Sequence, residues 1–280
     1  MKLSDGSCGV GRRVLVSSTD FAIQTTISMK INSVLVLAAG LVAAWQAPQG
    51  FGADIIGTVT LKGTPPPERE ITFLKADANC GKLVTEVPTT HFYVVGAKGE
   101  LADAIVLLKN PPGKSTGAAA TPAVLDQKNC QYTPQIMAIQ TGQKLLIRNS
   151  DPAPILHNVH AVPAVDENKG KNNENQAQAA GMPDIPMSFP APENFMKFQC
   201  DVHSGPSGSW MLAWVTVIDH PFFSVSAKDG TFKISNVPPG KYKIAALHRK
   251  AAPTGMEQEI EVKEGAPTKV DFTLEVPAAK

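Results

Sequence analysis

The chain predicts an all-β protein whose last portion forms a small β-sandwich of its own. Three observations carry that prediction. Its apolar residues come in short runs rather than at helical spacing; Pro and Gly, 23 and 22 of 280 residues, punctuate those runs; and the runs themselves are rich in β-branched and aromatic side chains. At 43% hydrophobic, the composition supports a packed globular core.

Ile55 to Leu61 alternates about Val59 and stops at Gly63-Thr64-Pro65-Pro66-Pro67, where proline removes ladder donors. Ala104 to Leu108 reads as a short strand closed by Asn110-Pro111-Pro112, and Gly113 to Pro122 as an exposed loop or a seam between modules. Gln135 to Ile139 and Lys144 to Arg148, joined by Thr141-Gly142-Gln143, predict a hairpin feeding the polar loop Asn149-Ser150-Asp151-Pro152. Residues 166–181 are dominated by Asn, Gln, Lys and Glu; they predict a long solvent loop with at most one helical turn, continued through the prolines of Met182 to Pro192. Phe195 to Cys200 and Leu212 to Ile218 follow as two strands, the second apolar enough to be buried. From Phe223 to Leu274, strands at Thr231 to Ile234, Tyr242 to Leu247, Gln258 to Val262 and Lys269 to Leu274 alternate with Gly and Pro turns, the pattern of a small antiparallel sandwich.

The first 53 residues stand apart. Met29-Lys30-Ile31-Asn32 precedes an apolar run from Val34 to Trp45 and small residues up to Ala53, the pattern of a signal peptide with Met29 as the true start and residues 1–28 as a misplaced one. The apolar run is shorter than the roughly 20 residues a bilayer span needs, so no membrane span is expected after removal of the signal. The expected location is periplasmic or secreted.

The 26 basic and 25 acidic side chains nearly cancel and form no long run of one sign, which argues against nucleic acid as a partner. Removing the leader leaves Cys80, Cys130 and Cys200. In an oxidising compartment Cys80 and Cys130 can pair as a disulfide and leave Cys200 free; three unrelated buried thiols are the competing arrangement, since connectivity does not follow from counting.

His157 lies in Leu156-His157-Asn158-Val159-His160, well ahead of Cys200-Asp201-Val202-His203 and the nearby Met211. Two imidazoles, a thiolate and a thioether are the donor set of a blue copper electron-transfer site. A loop between two strands lets Cys200 and His203 turn toward one point while His157 must arrive from a distant loop. His160 is a weaker ligand than His157, because residues of opposite strand parity rarely face one point. His91, His220 and His248 lack partners at useful spacing and read as structural or surface groups. The same donors suit zinc, and each taken singly is commonly a core or surface residue. Hydrolytic chemistry is disfavoured: no Gly-x-Ser-x-Gly, His-Glu-x-x-His, P-loop or dinucleotide fingerprint occurs, nor a Cys-x-x-Cys-His haem attachment.

The segment from Gln135 to Ile218, with His157-Asn158-Val159, Cys200-x-x-His203 and a downstream Met, resembles the cupredoxin family, in particular its amicyanin and plastocyanin branches. That resemblance implies a cupredoxin-like Greek-key sandwich with His157, Cys200, His203 and Met211 as the copper ligands, and Asn158 as the residue that braces the Cys loop by hydrogen bonding. Asp77-x-x-Cys80, Asp126-Gln127-x-x-Cys130-x-Tyr132-Thr133-Pro134, Arg148-Asn149-Ser150-Asp151 and Asp219-His220-Pro221 are further similar to exported bacterial proteins labelled methylamine-utilisation-like, a label that establishes no methylamine chemistry. One departure concerns the axial ligand. Amicyanin-like loops read Cys-x-x-His-x-x-Met, whereas here Ser204 to Ser209 sets five more residues between His203 and Met211. The excursion either loops out and returns Met211, or leaves the axial position empty or filled by a backbone carbonyl.

Asp229-Gly230-Thr231-Phe232 and Val237-Pro238-Pro239-Gly240-Lys241-Tyr242 resemble the carboxypeptidase regulatory-like (transthyretin-like) sandwich. Residues around Ile55 to Val59 and Ala102 to Val106 resemble that module's opening strands. The expected organisation is therefore a start and signal over 1–53, an N-terminal β segment over 54–112 supplying first strands to a split sandwich, a copper domain over 123–219, and the regulatory-like module over 220–276. The expected function is single-electron transfer by one type 1 copper between redox protein partners, with no enzymatic turnover. A metal-free carbohydrate- or protein-binding surface protein and a copper chaperone or storage protein are the alternatives.

Overall fold

The structure is a computed structural model that describes residues 52–278. The expected start and signal segment lies outside the described residues except for Gly52 and Ala53. The chain first lays down β1 (Ala53–Lys62), the one-turn helix α1 (Thr72–Ala76) and β2 (Ile105–Leu108). The middle region adds β3 (Ala123–Lys128), β4 (Gln131–Thr133), β5 (Ile136–Gln140), β6 (Leu145–Asn149), β7 (Leu156–Val162), β8 (Glu174–Ala179) and β9 (Ile185–Met187). It continues with β10 (Glu193–Gln199), β11 (Ser204–Gly205), β12 (Gly208–Ser209) and β13 (Leu212–Ile218). Last come β14 (Phe223–Val225), β15 (Thr231–Val237), β16 (Gly240–His248), β17 (Ala252–Val262), β18 (Thr268–Lys269) and β19 (Phe272–Glu275). The fold is all-β, and no described helix is long and apolar enough to cross a membrane.

Two sandwiches share the chain. In one, β15, β1, β18 and β19 face a sheet ordered β14-β2-β16-β17. Ile55, Val59 and Leu61 of β1 point inward on alternate positions and pack with Val106, Leu108, Ile234, Ile244 and Phe272. Gly57 occupies the inward position between Ile55 and Val59 because Val270 closes over it: a Cβ there would lie 1.6 Å from the Val270 carbonyl oxygen. Strands from early and late in the described residues build this sandwich, and β1 runs parallel to β18 and β19, so the module is mixed rather than purely antiparallel.

The middle region forms the second sandwich from a sheet ordered β5-β13-β10-β7-β8 and a sheet ordered β4-β3-β6-β9. Strand β13 is buried on both faces. Ala213, Val215 and Val217 enter the core between these two sheets, while Trp214 and Ile218 join Ile105, Leu107, Ala245 and Leu247 in a seam against the other sandwich. That double burial explains its apolar sequence, interrupted only by Thr216, whose buried Oγ1 accepts the Phe195 N–H at 3.1 Å. Arg249 fastens the same seam, its guanidinium carbon 3.5 Å from the centre of the Trp214 ring.

Two sequence expectations give way here. Strands β5 and β6 do not form a hairpin: β5 pairs in parallel with β13, whereas β6 crosses to the other sheet and pairs with β3 and β9. Gly142, at φ +72°, turns the corner between the sheets. The polar stretch 166–181 is not all loop, because β8 forms an edge strand along β7. Its exposed face accounts for the polarity, and fully buried Gln178 is held by the carbonyls of Ile147 and Pro183 and by Gln127.

Candidate metal centre

His157 enters the core because β7 alternates and its inward positions lie between the two sheets of the second sandwich; it is fully buried. Cys200 follows the last residue of β10, and His203 ends the short connection from it. The expected excursion Ser204 to Ser209 is an ordered ribbon in which β11 pairs with β12 and Gly208 takes a positive φ. Below the ribbon the Trp210 N–H donates to the His203 carbonyl (3.3 Å) and the Cys200 N–H to the Met211 carbonyl (3.2 Å). The additional residues therefore project outward, and the chain returns with Met211 opposite Cys200 and buried in the same core cluster.

Three donor atoms converge. The Nδ1 atoms of His157 and His203 are 3.1 Å apart, and the Cys200 Sγ is 4.0 and 3.4 Å from them. A circle through those three points has a radius of about 2.1 Å, within the reach of metal–imidazole and metal–thiolate bonds of about 2.0–2.3 Å. The donor set therefore fits one ion at the centre of the triangle.

The surroundings prepare each donor. Asp151 Oδ2 lies 2.8 Å from His157 Nε2. Burial raises the Asp151 pKa, but the His157 hydrogen bond and the N–H groups of Cys130 (2.8 Å) and Asn129 (2.5 Å) outweigh it and hold the carboxyl below its ordinary range. An ionised Asp151 accepts the proton of Nε2, so Nδ1, which faces the other two donors, is the nitrogen that exchanges its proton for a metal. Burial also raises the Cys200 pKa. Hydrogen bonds from His157 and His203 and from the N–H groups of Asn158 and His203 reverse that and bring the thiol down to about 6. A thiolate, the form that binds metal, is thus the natural state at neutral pH.

Asn158 ties the Cys loop to β7. Its N–H points at Cys200 Sγ (3.4 Å), and its Oδ1 accepts the Asp201 and Val202 N–H groups at 2.6 and 3.3 Å. His160 faces away from the triangle and pairs with Asp201 at 2.8 Å. His220 and His248 are buried away from the site. Cys80 and Cys130 form a disulfide, and Cys200 is the free thiol among the described residues.

Asp151 was legible only as part of a motif, with no role attached, since it lies in the loop ahead of β7, six positions before His157. The disulfide also lies closer to the site than a cysteine count conveys: both sulfurs fall within 4.8 Å of a His203 ring nitrogen.

No protein-family model matches the chain, and no curated protein matches it. Among solved structures the chain is similar over 40% of its length to a copper-containing nitrite reductase from Thermus scotoductus SA-01, at 14% identity and a TM-score of 0.30. That match spans only 25% of the reductase. It is also similar over 40% of its length to an oxidised amicyanin variant, at 16% identity and a TM-score of 0.27, and to a Cu(I) amicyanin variant, at 14% identity and 0.24; each match spans 97% of the amicyanin chain. Likeness at this level identifies no family, so the metal reading stands on the donor geometry.

Proposed function

We propose that the chain is an exported type 1 copper protein, of the cupredoxin kind, that passes single electrons between redox protein partners without turning over a substrate. The observation that carries this reading is the triangle of His157 Nδ1, His203 Nδ1 and Cys200 Sγ. It is a two-nitrogen, one-sulfur set sized for a single ion. Bound copper would supply a one-electron couple between Cu(II) and Cu(I).

The chain's own residues would keep the donors still. His157 is pinned by Asp151, and Cys200 is held between the Asn158 N–H and the Met211 carbonyl; all three donors are buried. A site that reorganises little suits electron transfer. It suits a chaperone less, because handing over an ion requires access to it. Met211, returned opposite Cys200 by the ribbon, would add a thioether donor to the set. The disulfide supports an oxidising compartment and hence export.

Visible absorption and EPR after Cu(II) addition, on the protein and on Cys200→Ala, test the reading. An intense thiolate-to-copper band with narrow hyperfine splitting, lost in the variant, is expected. A colourless protein without tight copper would overturn it in favour of a metal-free binding module.

A further inference from the structure

His203 is nearly buried, and part of what covers it comes from outside the sandwich that holds the donors. The Thr72–Lys82 segment leaves the first sandwich and crosses to the ligand loop. Leu74, fully buried, packs with Cys80, Cys130 and Ile155, and Trp210 closes the same cluster. The Trp210 ring in turn lies 5.5 Å from the His203 ring. Phe73 rests on the ribbon so closely that a Cβ on Gly205 would come within 3.0 Å of its ring.

The segment has little to hold it by itself. Helix α1 is five residues long, far below the length at which an isolated helix persists. Its internal ties are local: Asp77 Oδ1 accepts the Asn79 and Cys80 N–H groups, and Lys75 Nζ donates to the Gly81 and Val84 carbonyls. Its one covalent attachment to the donor sandwich is the Cys80–Cys130 disulfide. That disulfide sits beside His203, and the Cys130 N–H donates to Asp151, the carboxylate that orients His157.

We propose that Thr72–Lys82 is a cap latched by the Cys80–Cys130 disulfide, which closes the Cys200 thiolate and the metal position to ions and thiol reagents from solvent. The disulfide thereby controls access to the site as well as cross-linking the fold. Metal entry and exit require the cap to open, and each opening must carry Leu74 out of its pocket while the latch limits how far the segment travels. The proposal deepens the copper reading by describing access to the same site, but its test uses no copper, so either can fail alone.

The test is the rate at which iodoacetamide alkylates Cys200 in the metal-free full chain, read by mass spectrometry on the Cys200 peptide. Cys80→Ser/Cys130→Ser is expected to raise that rate by about tenfold or more, and Leu74→Ala, with the latch intact, by a smaller factor. Ile244→Ala, a core truncation in the other sandwich, controls for general loosening and is expected to leave Cys200 protected. The cap is refuted if the double Ser variant keeps its far-UV circular dichroism yet alkylates within about twofold of the parent, or if Ile244→Ala exposes Cys200 as much. If the double Ser variant does not fold, Leu74→Ala against Ile244→Ala decides the matter alone.

Discussion

The carboxylate of Asp151 holds the Nε2 of His157 at 2.8 Å, and neither group is reached by solvent. This one contact determines which imidazole nitrogen carries the proton and which is free for a ligand. Asp151→Asn keeps the shape but loses the charge, and metal affinity should fall about 10- to 100-fold in a competitive chelator titration. Asp151→Ala, which also strands the Cys130 and Asn129 N–H groups, should additionally lower the unfolding free energy of the metal-free protein by roughly 2–4 kcal/mol.

Asn158 makes the loop ties that a smaller side chain cannot. Asn158→Ala leaves the Asp201 and Val202 N–H groups without their acceptor and should cost about 1–3 kcal/mol in urea unfolding. Any thiolate-to-copper band should move in wavelength rather than vanish, because the N–H on Cys200 Sγ belongs to the backbone and survives.

Met211 serves the core whatever its sulfur binds. Met211→Ala should lose about 2–5 kcal/mol of stability in the metal-free protein, from burial alone. A role as axial donor adds a second effect: Met211→Leu, close to isosteric, should keep most of the stability and still change the copper spectrum. An unchanged spectrum would remove Met211 from the ligand set.

Burial, with a smaller contribution from Arg249, lowers the pKa of His248 from 6.5 to about 4. The unfolded chain therefore takes up the proton first as pH falls. Stability from this group is complete above about pH 6.5 and is lost progressively toward pH 4, amounting to roughly 3 kcal/mol. His248→Asn should show a flatter acid limb than the parent when unfolding free energies are compared from pH 7 to pH 4; parallel curves would exclude His248 as the source.

The meeting of His157, Cys200 and His203 was legible in the sequence because residue type and, for the last two, spacing single them out. The strand runs were legible because alternation and Pro/Gly punctuation are local. What resisted reading depended on partners far along the chain. A turn at Gly142 looks the same whether the next strand folds back or crosses to a facing sheet. Gln178 looks like a solvent residue until the acceptors that surround it are known. Helix α1 is too short to show a period, and nothing near Cys80 in the sequence announces that it will lie against His203.

The pairing of β1 with β19 has a consequence for the order in which the molecule can be made. Lys62 and Glu275 are 213 residues apart, so β1 waits for that much further chain before this neighbour exists. Strands β3 to β13 pair only among themselves and are all in hand by Ile218. N-to-C emergence of the chain, from ribosome or translocation pore, thus favours completion of the donor-bearing sandwich first, and a chain truncated after residue 218 would still carry every donor but would leave β1 and β2 without their strand partners.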